Sequence, residues 1–359
     1  MNACRRFTTL PTGNLSVTTF VIASIIKILV VLWVLLTAVA YTVWLERKVV
    51  GRIQNRWGPT RVGPFGLLQP LADGLKFIFK EDLTPPYVHK FLYILAPMLA
   101  LSMSLIAISL IPFGNWVTVA GVSTPLQITD TNIGLLIILG ITSIAVYGVA
   151  LAGWSSNSKY SLLGGLRASA QMVSYEVALG LSLVGVLILC GTFSLSGIVD
   201  AQKGTWFHFI PKWNIFKGQF VAFFIYIMAA YAETNRIPFD LPEAETELVA
   251  GYHTEYSSMK FAMFFMAEYS NMVTVACLAS ILFLGGWTGP LFGPPIVQAV
   301  LPVIYFALRV LFFIFVYIWV RGTLPRFRYD QLMAFAWKFL LPLAIANTMI
   351  TALVVALRS

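Results

Sequence analysis

Eight apolar stretches, each close to the length of a membrane-crossing helix, run through this sequence of 359 residues. A helix needs about 20 predominantly apolar residues to cross a bilayer. The stretches cover residues 17–45, 91–111, 133–154, 172–189, 219–232, 261–286, 297–320 and 332–357. Hydrophobic residues make up 58% of the chain and charged residues 11%, which is too few charges for a water-exposed surface. We therefore predict an all-α integral membrane protein with about eight transmembrane helices.

The N-terminal stretch has some features of a signal peptide, with Arg5 and Arg6 upstream and a cleavage-like Ala-Val-Ala at 38–40. Its apolar run, interrupted only by Lys27, is much longer than the roughly 7 to 15 residues of a signal core. We expect an uncleaved first span after an N-terminal tail at residues 1–16.

Basic residues are distributed unequally between alternate connections, which predicts the orientation. Fifteen lie after spans one, three, five and seven, and they are Arg47, Lys48, Arg52, Arg56, Arg61, Lys76, Lys80, Lys90, Lys159, Arg167, Arg236, Lys260, Arg321, Arg326 and Arg328. The other connections hold only Lys203, Lys212 and Lys217. The positive-inside rule places the first set, in loops 46–90, 155–171, 233–260 and 321–331, in the cytoplasm and both termini in the periplasm of a bacterial inner membrane.

The first cytoplasmic loop contains an amphipathic pattern. Between residues 66 and 80 the apolar side chains recur near helical spacing, with polar residues between them and Pro70 in the first turn, where proline is tolerated. This predicts an interfacial helix. No internal repeat or linker divides the chain, so we expect one membrane domain over residues 1–359.

Other classes of site are disfavoured. The net charge of +9 arises from cations at the ends of apolar segments, without a basic and aromatic stripe for nucleic acid. Cys4, Cys190 and Cys277 are too far apart to form a metal or iron-sulfur motif. We expect no metal site on this chain, and any redox centres on other chains.

Two acids lie inside predicted spans, Glu176 about one turn inside the fourth and Glu268 about two turns inside the sixth. An ionised carboxylate in hydrocarbon is costly, so each must face protein or water, pair with a cation, or hold a proton. The simplest alternative is a satisfied hydrogen bond between helices. The functional interpretation is a group that exchanges protons.

Residues 232–247, AETNRIPFDLPEAETE, form the densest acidic segment. Glu243 and Glu247 are spaced to share a helix face, where like charges favour protonation of one of them. Asp240 as a helix cap, with Glu243 in the first turn, is the structural alternative. It does not explain why Glu233, Glu245, Glu247 and Glu255 gather at the same face, so we favour a hydrated acidic pathway.

The basic residues near these acids have two interpretations. Arg47, Arg52, Arg56 and Arg61 fit positive-inside anchors. Arg236, three residues after Glu233, fits better as the counter-ion of a carboxylate.

Four loop sequences resemble those of a known family. LERKVVGRIQNRWGPTRVGPFGLLQPLADGLKFIFKED at 45–82 is similar to the first cytoplasmic loop of NuoH, the quinone-channel membrane subunit of respiratory complex I, the NADH:quinone oxidoreductase. GWSSNSKYSLLGGLRASAQMVSYE at 153–176, ETNRIPFDLPEAETELVAGYHTEYSSMKFAMFFMAEY at 233–269 and RGTLPRFRYDQLM at 321–333 resemble its other three. The likeness runs from about residue 38 to the C-terminus, in matching order and spacing.

The resemblance implies a subunit at the junction of the hydrophilic arm, which carries the flavin and iron-sulfur clusters, and the proton-pumping membrane arm. Its substrate is a quinone, ubiquinone or menaquinone, which enters from the lipid bilayer through a tunnel formed largely by this subunit. The implied partners are the quinone-site subunits of the hydrophilic arm and the neighbouring membrane-arm subunits.

The resemblance also assigns roles to residues. The charged chamber and acidic path toward the pumping subunits comprise Glu176, Glu233, Arg236, Glu243, Glu245, Glu247 and Glu268. The residues that line or brace the quinone tunnel are Glu46, Arg47, Arg52, Arg56, Arg61 and Asp73. The isoprenoid tail of a quinone needs an apolar corridor, which we expect the interfacial helix to supply through Leu67, Leu68, Leu71, Phe77 and Phe79. The residues expected to dock the hydrophilic arm are Arg321, Arg326, Arg328 and Asp330.

Three alternatives stay open at this point. An ion-coupled transporter also places acids in the membrane, although such proteins usually contain paired halves. The equivalent subunit of a membrane-bound hydrogenase or related dehydrogenase is a closer alternative. The third is a structural anchor for the hydrophilic arm without a part in proton movement.

Overall fold

The computed structural model describes residues 17–119, 122–206, 210–240 and 251–358, and it is built mainly of helices. In chain order these helices are α1 (Val17–Ile53), α2 (Gln69–Phe79), α3 (Lys90–Ile108), α4 (Gly134–Ser155), α5 (Lys159–Cys190), α6 (Leu195–Asp200), α7 (Phe220–Glu233), α8 (Ser258–Phe283), α9 (Pro295–Thr323), α10 (Tyr329–Phe335) and α11 (Leu341–Arg358). A π-helical turn, Ala336–Leu340, joins α10 to α11. Helices are expected because they satisfy every backbone polar group within one segment in lipid.

Two short antiparallel hairpins lie in connections between helices. Trp116–Val119 (β1) pairs with Val122–Pro125 (β2), and Thr205–Trp206 (β3) pairs with Ile210–Pro211 (β4). They do not alter the all-α character of the membrane domain.

The predicted spans are confirmed as helices. Within the described ranges, seven of them are long and apolar enough to cross a membrane, counting α10 to α11 as one, and α7 is a shorter apolar helix. The predicted interfacial helix is also confirmed as a helix, α2, with a proline in its first turn.

Two of the expected cytoplasmic loops are partly helical. The helix α1 continues to Ile53, so the expected loop 46–90 begins inside it. The helix α5 begins at Lys159, so most of the expected loop 155–171 is helical and Glu176 lies near the middle of its helix, not one turn inside it. Helices longer than the bilayer is thick can extend beyond it, and hydropathy alone does not detect the polar part.

The helices pack as a bundle around α7 and α8. The helix α3 packs on α4 and α8, α5 on α4, α7 and α11, and α8 on α9 and α1. Interior side chains of α7, such as Ile225 and Tyr226, have no exposed surface. In contrast, Ile22, Leu29 and Trp33 of α1 are 58 to 69% exposed, as expected of side chains that face lipid.

The short helix α7 ends inside the bundle. Its 14 residues rise about 21 Å, less than the roughly 30 Å of hydrocarbon. The segment that follows is not helical, yet Thr234, Asn235 and Arg236 are only 2 to 6% exposed. Irregular backbone at this depth is tolerated where protein surrounds it. The first residues of the expected loop 233–260 are therefore packed within the bundle, and the cytoplasmic position of that loop stays a prediction.

Candidate functional site

A buried cluster of charges lies where α1, α8, α9 and the segment after α7 meet. Arg236 Nε lies 2.5 Å from Glu268 Oε1, and Arg236 Nη1 lies 3.4 Å from Glu46 Oε2. The three side chains are only 7 to 10% exposed. The prediction that Arg236 is the counter-ion of a carboxylate is confirmed, and its partners come from two distant helices.

Two further side chains complete this cluster. Arg321, from the end of α9, pairs with Glu46 Oε1. Tyr269 donates a hydrogen bond to Glu46 Oε2 at 3.0 Å, and its ring lies under the Arg236 guanidinium at 4.0 Å. We call Glu46, Arg236, Glu268, Tyr269 and Arg321 the charge cluster.

The charge cluster balances two carboxylates against two guanidinium groups. Buried ions are tolerated only when they are paired and hydrogen-bonded, because desolvation costs several kcal/mol for each ion. Such an arrangement responds to charge changes nearby, because electrostatic interactions are stronger in a protein interior of low dielectric constant than in water. The charge cluster is therefore suited to sensing a charge change or exchanging a proton.

Gln171 of α5 holds the segment that carries Arg236. Its side-chain nitrogen donates hydrogen bonds toward the Ala232 carbonyl at 2.9 Å, the Phe239 carbonyl at 2.7 Å and the Asn235 Oδ1 atom at 3.2 Å. Gln171 has no exposed surface. The non-helical backbone after α7 is therefore anchored by a side chain.

A cavity of about 30 Å³ adjoins the charge cluster. Its polar lining residues are Glu233, Thr234, Asn235, Tyr252, Glu268 and Asn271. A water molecule needs roughly 10 to 15 Å³ and two to four polar partners, so this cavity has room for water. Glu268 therefore belongs to the charge cluster and also lines a hydratable space.

A second cavity of about 10 Å³ shares part of its lining with the first. Glu233 and Asn271 line both cavities, and Thr142 and Thr274 are the threonines of the second lining. Glu233 thus stands between the two spaces.

The acids Glu176 and Glu233 lie close enough to interact electrostatically. Ser143 donates a hydrogen bond to Glu176, and the Thr142 side chain contacts Glu233. Two adjacent residues of α4 thus contact the two acids, Ser143 the side chain of Glu176 and Thr142 that of Glu233. The structure brings Glu176, Glu233 and Glu268 into one region with Arg236.

Among the residues expected at the quinone tunnel, one is buried and the others lie at or near the surface. Glu46 is part of the buried cluster, whereas Arg47 lies at the surface and pairs with Asp73 of α2 at 2.7 Å. Arg52 lies over the Trp57 ring at 4.1 Å, and Arg56 donates to Gln54 Oε1 at 2.7 Å.

The apolar members of this set lie on and beside α2. Leu67 and Leu71 are 39% and 63% exposed, and Arg61 is also exposed. Phe77 is half-buried, with its ring 6.3 Å from that of Phe261. This chain thus presents an apolar surface at α2.

The comparisons with known proteins match nearly the whole length of the chain. The NADH dehydrogenase family model matches residues 26–352. The second H-type subunit of the NADH-quinone oxidoreductase of Koribacter versatilis is 73% identical over 96% of this chain and 99% of its own length. The first H-type subunit of the Geobacter sulfurreducens enzyme is 50% identical, covering 95% and 97% of the two chains. The first one of Solibacter usitatus is 49% identical, covering 94% and 98%.

The chain belongs to the NADH dehydrogenase family of NuoH subunits. In this NuoH-family chain the residues expected to dock a hydrophilic arm differ in exposure and in their ion-pair partners. Arg321 lies in the charge cluster, and Arg326 pairs with Asp240 at 3.1 Å. Arg328 and Asp330 pair with each other at the surface, 80% and 63% exposed.

Three predicted members of the acidic path, Glu243, Glu245 and Glu247, lie outside the described residues. Their roles stay predictions.

Several residues of this NuoH-type site carried no signal that sequence patterns detect. Gln171, Asn271 and Tyr269 are uncharged and lie in helices, so they do not stand out from other polar residues of a span. Arg309 was detectable, because it is a cation within the seventh predicted span. It donates to the Gly286 and Thr288 carbonyls, which explains how a cation is accommodated there.

Proposed function

We propose that this chain, as the NuoH-type membrane subunit of a proton-translocating NADH:quinone oxidoreductase, forms the quinone access passage and an acidic pathway that couples quinone reduction to proton translocation. The full-length relatives carry the name of this oxidoreductase, which supports the assignment over a transporter or a hydrogenase component.

One observation carries the proposal: the charge cluster adjoins a cavity that also contains Glu233. Glu268 is shared by both, since it pairs with Arg236 and lines the cavity. An anchor without a part in proton movement does not require buried acids beside hydratable space, because burying an acid in a membrane bundle is costly even when the acid is paired.

The substrate is a quinone, ubiquinone or menaquinone, whose isoprenoid tail requires an apolar surface. The exposed apolar side chains of α2 and the turn before it supply one wall, including Leu67 and Leu71. Because they are exposed on this chain, the other wall comes from lipid or from a neighbouring subunit. Flavin and iron-sulfur clusters belong to those other subunits.

Quinone reduction provides the charge change that drives the pathway. One quinone takes up two electrons and two protons to become quinol. Negative charge on the reduced headgroup attracts protons and cations, and Arg236 and Arg321 are the cations paired with the cluster acids. Movement of a proton among Glu46, Glu268, Glu233 and Glu176 transmits this change into the bundle.

The partners are the quinone-site subunits of the hydrophilic arm, the neighbouring membrane-arm subunits and the bilayer. The loops after spans one, three, five and seven face the cytoplasm of a bacterial inner membrane, because they contain most of the basic residues. The three acids beyond the described residues, Glu243, Glu245 and Glu247, extend the pathway toward that face.

The test is the exchange of Glu268→Gln in the intact complex, with Asp200→Asn as the matched carboxylate-to-amide control. Asp200 lies at the end of α6 in an exposed pair with Lys203. We expect Glu268→Gln to lower NADH-driven proton uptake into vesicles and quinone reduction at least about tenfold, within the range of general acid–base effects. NADH oxidation by ferricyanide, which reports an assembled hydrophilic arm, remains normal in both variants. Normal pumping by Glu268→Gln in an assembled complex would support the anchor alternative instead.

A further inference from the structure

Asn271 occupies a distinctive position on α8. It follows Glu268 by three residues and precedes Thr274 by three, so the three side chains share one helix face. This face passes from the charge cluster into the bundle interior. On this face the neutral amide of Asn271 lies between the carboxyl group of Glu268 and the hydroxyl group of Thr274.

Both cavities near the acids meet at this amide. The larger cavity is lined by Glu268, Asn271 and Glu233, and the smaller by Asn271, Glu233 and Thr274. Glu233 comes from α7 and Asn271 from α8, so the two residues face each other across the junction of the cavities.

The amide oxygen has unused hydrogen-bonding capacity. Asn271 Oδ1 is buried and accepts no hydrogen bond from any side chain or backbone group in the described residues. A buried acceptor without a donor is destabilising, so the amide requires a partner of another kind. Water satisfies such a group where the cavity is polar and large enough, and about 30 Å³ beside Asn271 is enough.

We propose that Asn271 is a positioning residue that holds water on both sides of Glu233 and so connects Glu268 to the interior acids. This inference rests on the proposed function, in which those acids exchange protons. A proton leaves Glu268 as one reaches Glu233, through water, and the amide itself neither gains nor loses a proton. No other co-reactant is needed.

An amide suits this position better than an acid or an apolar side chain. It donates and accepts hydrogen bonds, so it orients water in two cavities at once. It carries no charge, so it does not trap the proton or disturb the balance of the charge cluster. Leucine is similar in size but has no hydrogen-bonding group, so it cannot hold a water molecule at this position.

The test compares Asn271→Leu with Asn271→Ser in the intact complex reconstituted into vesicles. We expect Asn271→Leu to lower the initial rate of NADH-driven proton uptake at least about tenfold and to raise the solvent hydrogen-isotope effect on quinone reduction, because proton transfer becomes limiting. Asn271→Ser replaces the amide with a hydroxyl, which also hydrogen-bonds water, and leaves space for additional water, so it retains at least about half of the rate.

Ser270→Ala is the control at the neighbouring position, since Ser270 is buried but lines neither cavity. It keeps the normal rate and isotope effect. Ferricyanide reduction by NADH reports assembly in each case, and Asn271→Val replaces Asn271→Leu if the latter does not assemble.

Normal proton uptake by an assembled Asn271→Leu or Asn271→Val complex overturns the inference. Glu233→Gln, measured in parallel, separates the two proposals. If Glu233→Gln abolishes pumping while Asn271→Leu does not, only the role of Asn271 fails. If Glu233→Gln also pumps normally, the acidic pathway itself is refuted.

Discussion

At the scale of single residues, the site depends on how ions are paired in a place where water is scarce. Glu46 contacts Arg236, Arg321 and Tyr269, which lie in three other segments of the chain. Each contact satisfies part of a carboxylate that lipid would otherwise exclude. Removal of one partner therefore affects the others.

Arg236→Met tests the structural contribution of this pairing. It removes the cation 2.5 Å from Glu268, and we expect it to lower the free energy of unfolding by about 3 to 5 kcal/mol, the usual cost of breaking a buried pair. The measurement is unfolding of the purified subunit in mixed micelles. Arg328→Met, in an exposed pair with Asp330, is the control and changes stability by less than about 1 kcal/mol. Equal effects of the two variants would contradict the buried pairing.

Gln171→Leu tests the anchor of the segment after α7. The change leaves the Ala232 and Phe239 carbonyls without this donor and lowers the free energy of unfolding by about 1 to 3 kcal/mol. We expect faster hydrogen exchange of the backbone amides in residues 234–239, measured by mass spectrometry. Gln54→Leu, at an exposed position, leaves exchange in that segment unchanged. Unchanged protection in the Gln171 variant would show that other contacts hold the segment.

At the scale of helices, the close approach of helix backbones is as important for packing as the pairing of charges. The helices α4 and α5 meet at glycines, where a Cβ atom on Gly153 would lie 2.6 Å from the Ser161 carbonyl oxygen and 3.0 Å from Gly165 Cα. Small residues allow helix backbones to approach in membranes, where packing rather than hydrophobicity drives association. This contact fixes α5, and with it Glu176, against α4.

Gly153→Ala is therefore expected to destabilise the bundle by about 1 to 3 kcal/mol through overpacking against backbone. Gly140→Ala is the matched control in the same helix, because a Cβ atom there meets nothing within 4 Å. It is neutral or slightly stabilising, since alanine favours helix by up to about 1 kcal/mol over glycine. Thermal unfolding of the two purified variants in one detergent makes the comparison. A neutral Gly153 variant would mean that α4 and α5 separate easily.

At the scale of the whole molecule, the bundle encloses several acids together with a large apolar core and leaves further apolar side chains exposed. The interior helices α7 and α8 supply Glu233, Glu268 and Asn271, while α1 exposes much of its surface to lipid. The orientation of this bundle in the membrane is predicted from the basic loops alone.

Fusion proteins test that orientation. Alkaline phosphatase fused after Ser359 is expected to be active and green fluorescent protein at the same place dark, because the C-terminus is predicted to be periplasmic. Fusions after Arg328, in the last predicted cytoplasmic connection, give the opposite result. Fluorescence from the C-terminal fusion would require the topology to be inverted.

The sequence was sufficient to predict the helices and the amphipathic α2, because hydrophobic period and length are local properties of a chain. It did not predict that α5 begins as early as Lys159, because the polar residues of its first turns resemble those of a loop. The end of the fifth span was predicted to within one residue of the end of α7, but the burial of the irregular backbone after it was not, because that burial depends on neighbours distant in sequence.

The sequence by itself determined that this is a membrane bundle with acids in its interior, because charges in apolar runs are visible without a structure. Only the tertiary structure decided which charges meet: Glu46 and Arg321 were assigned to a tunnel and a docking surface, yet both pair within the charge cluster. The physical reason is that ion pairing and cavities arise between segments far apart in the chain, and spacing along one segment does not encode the distance to another.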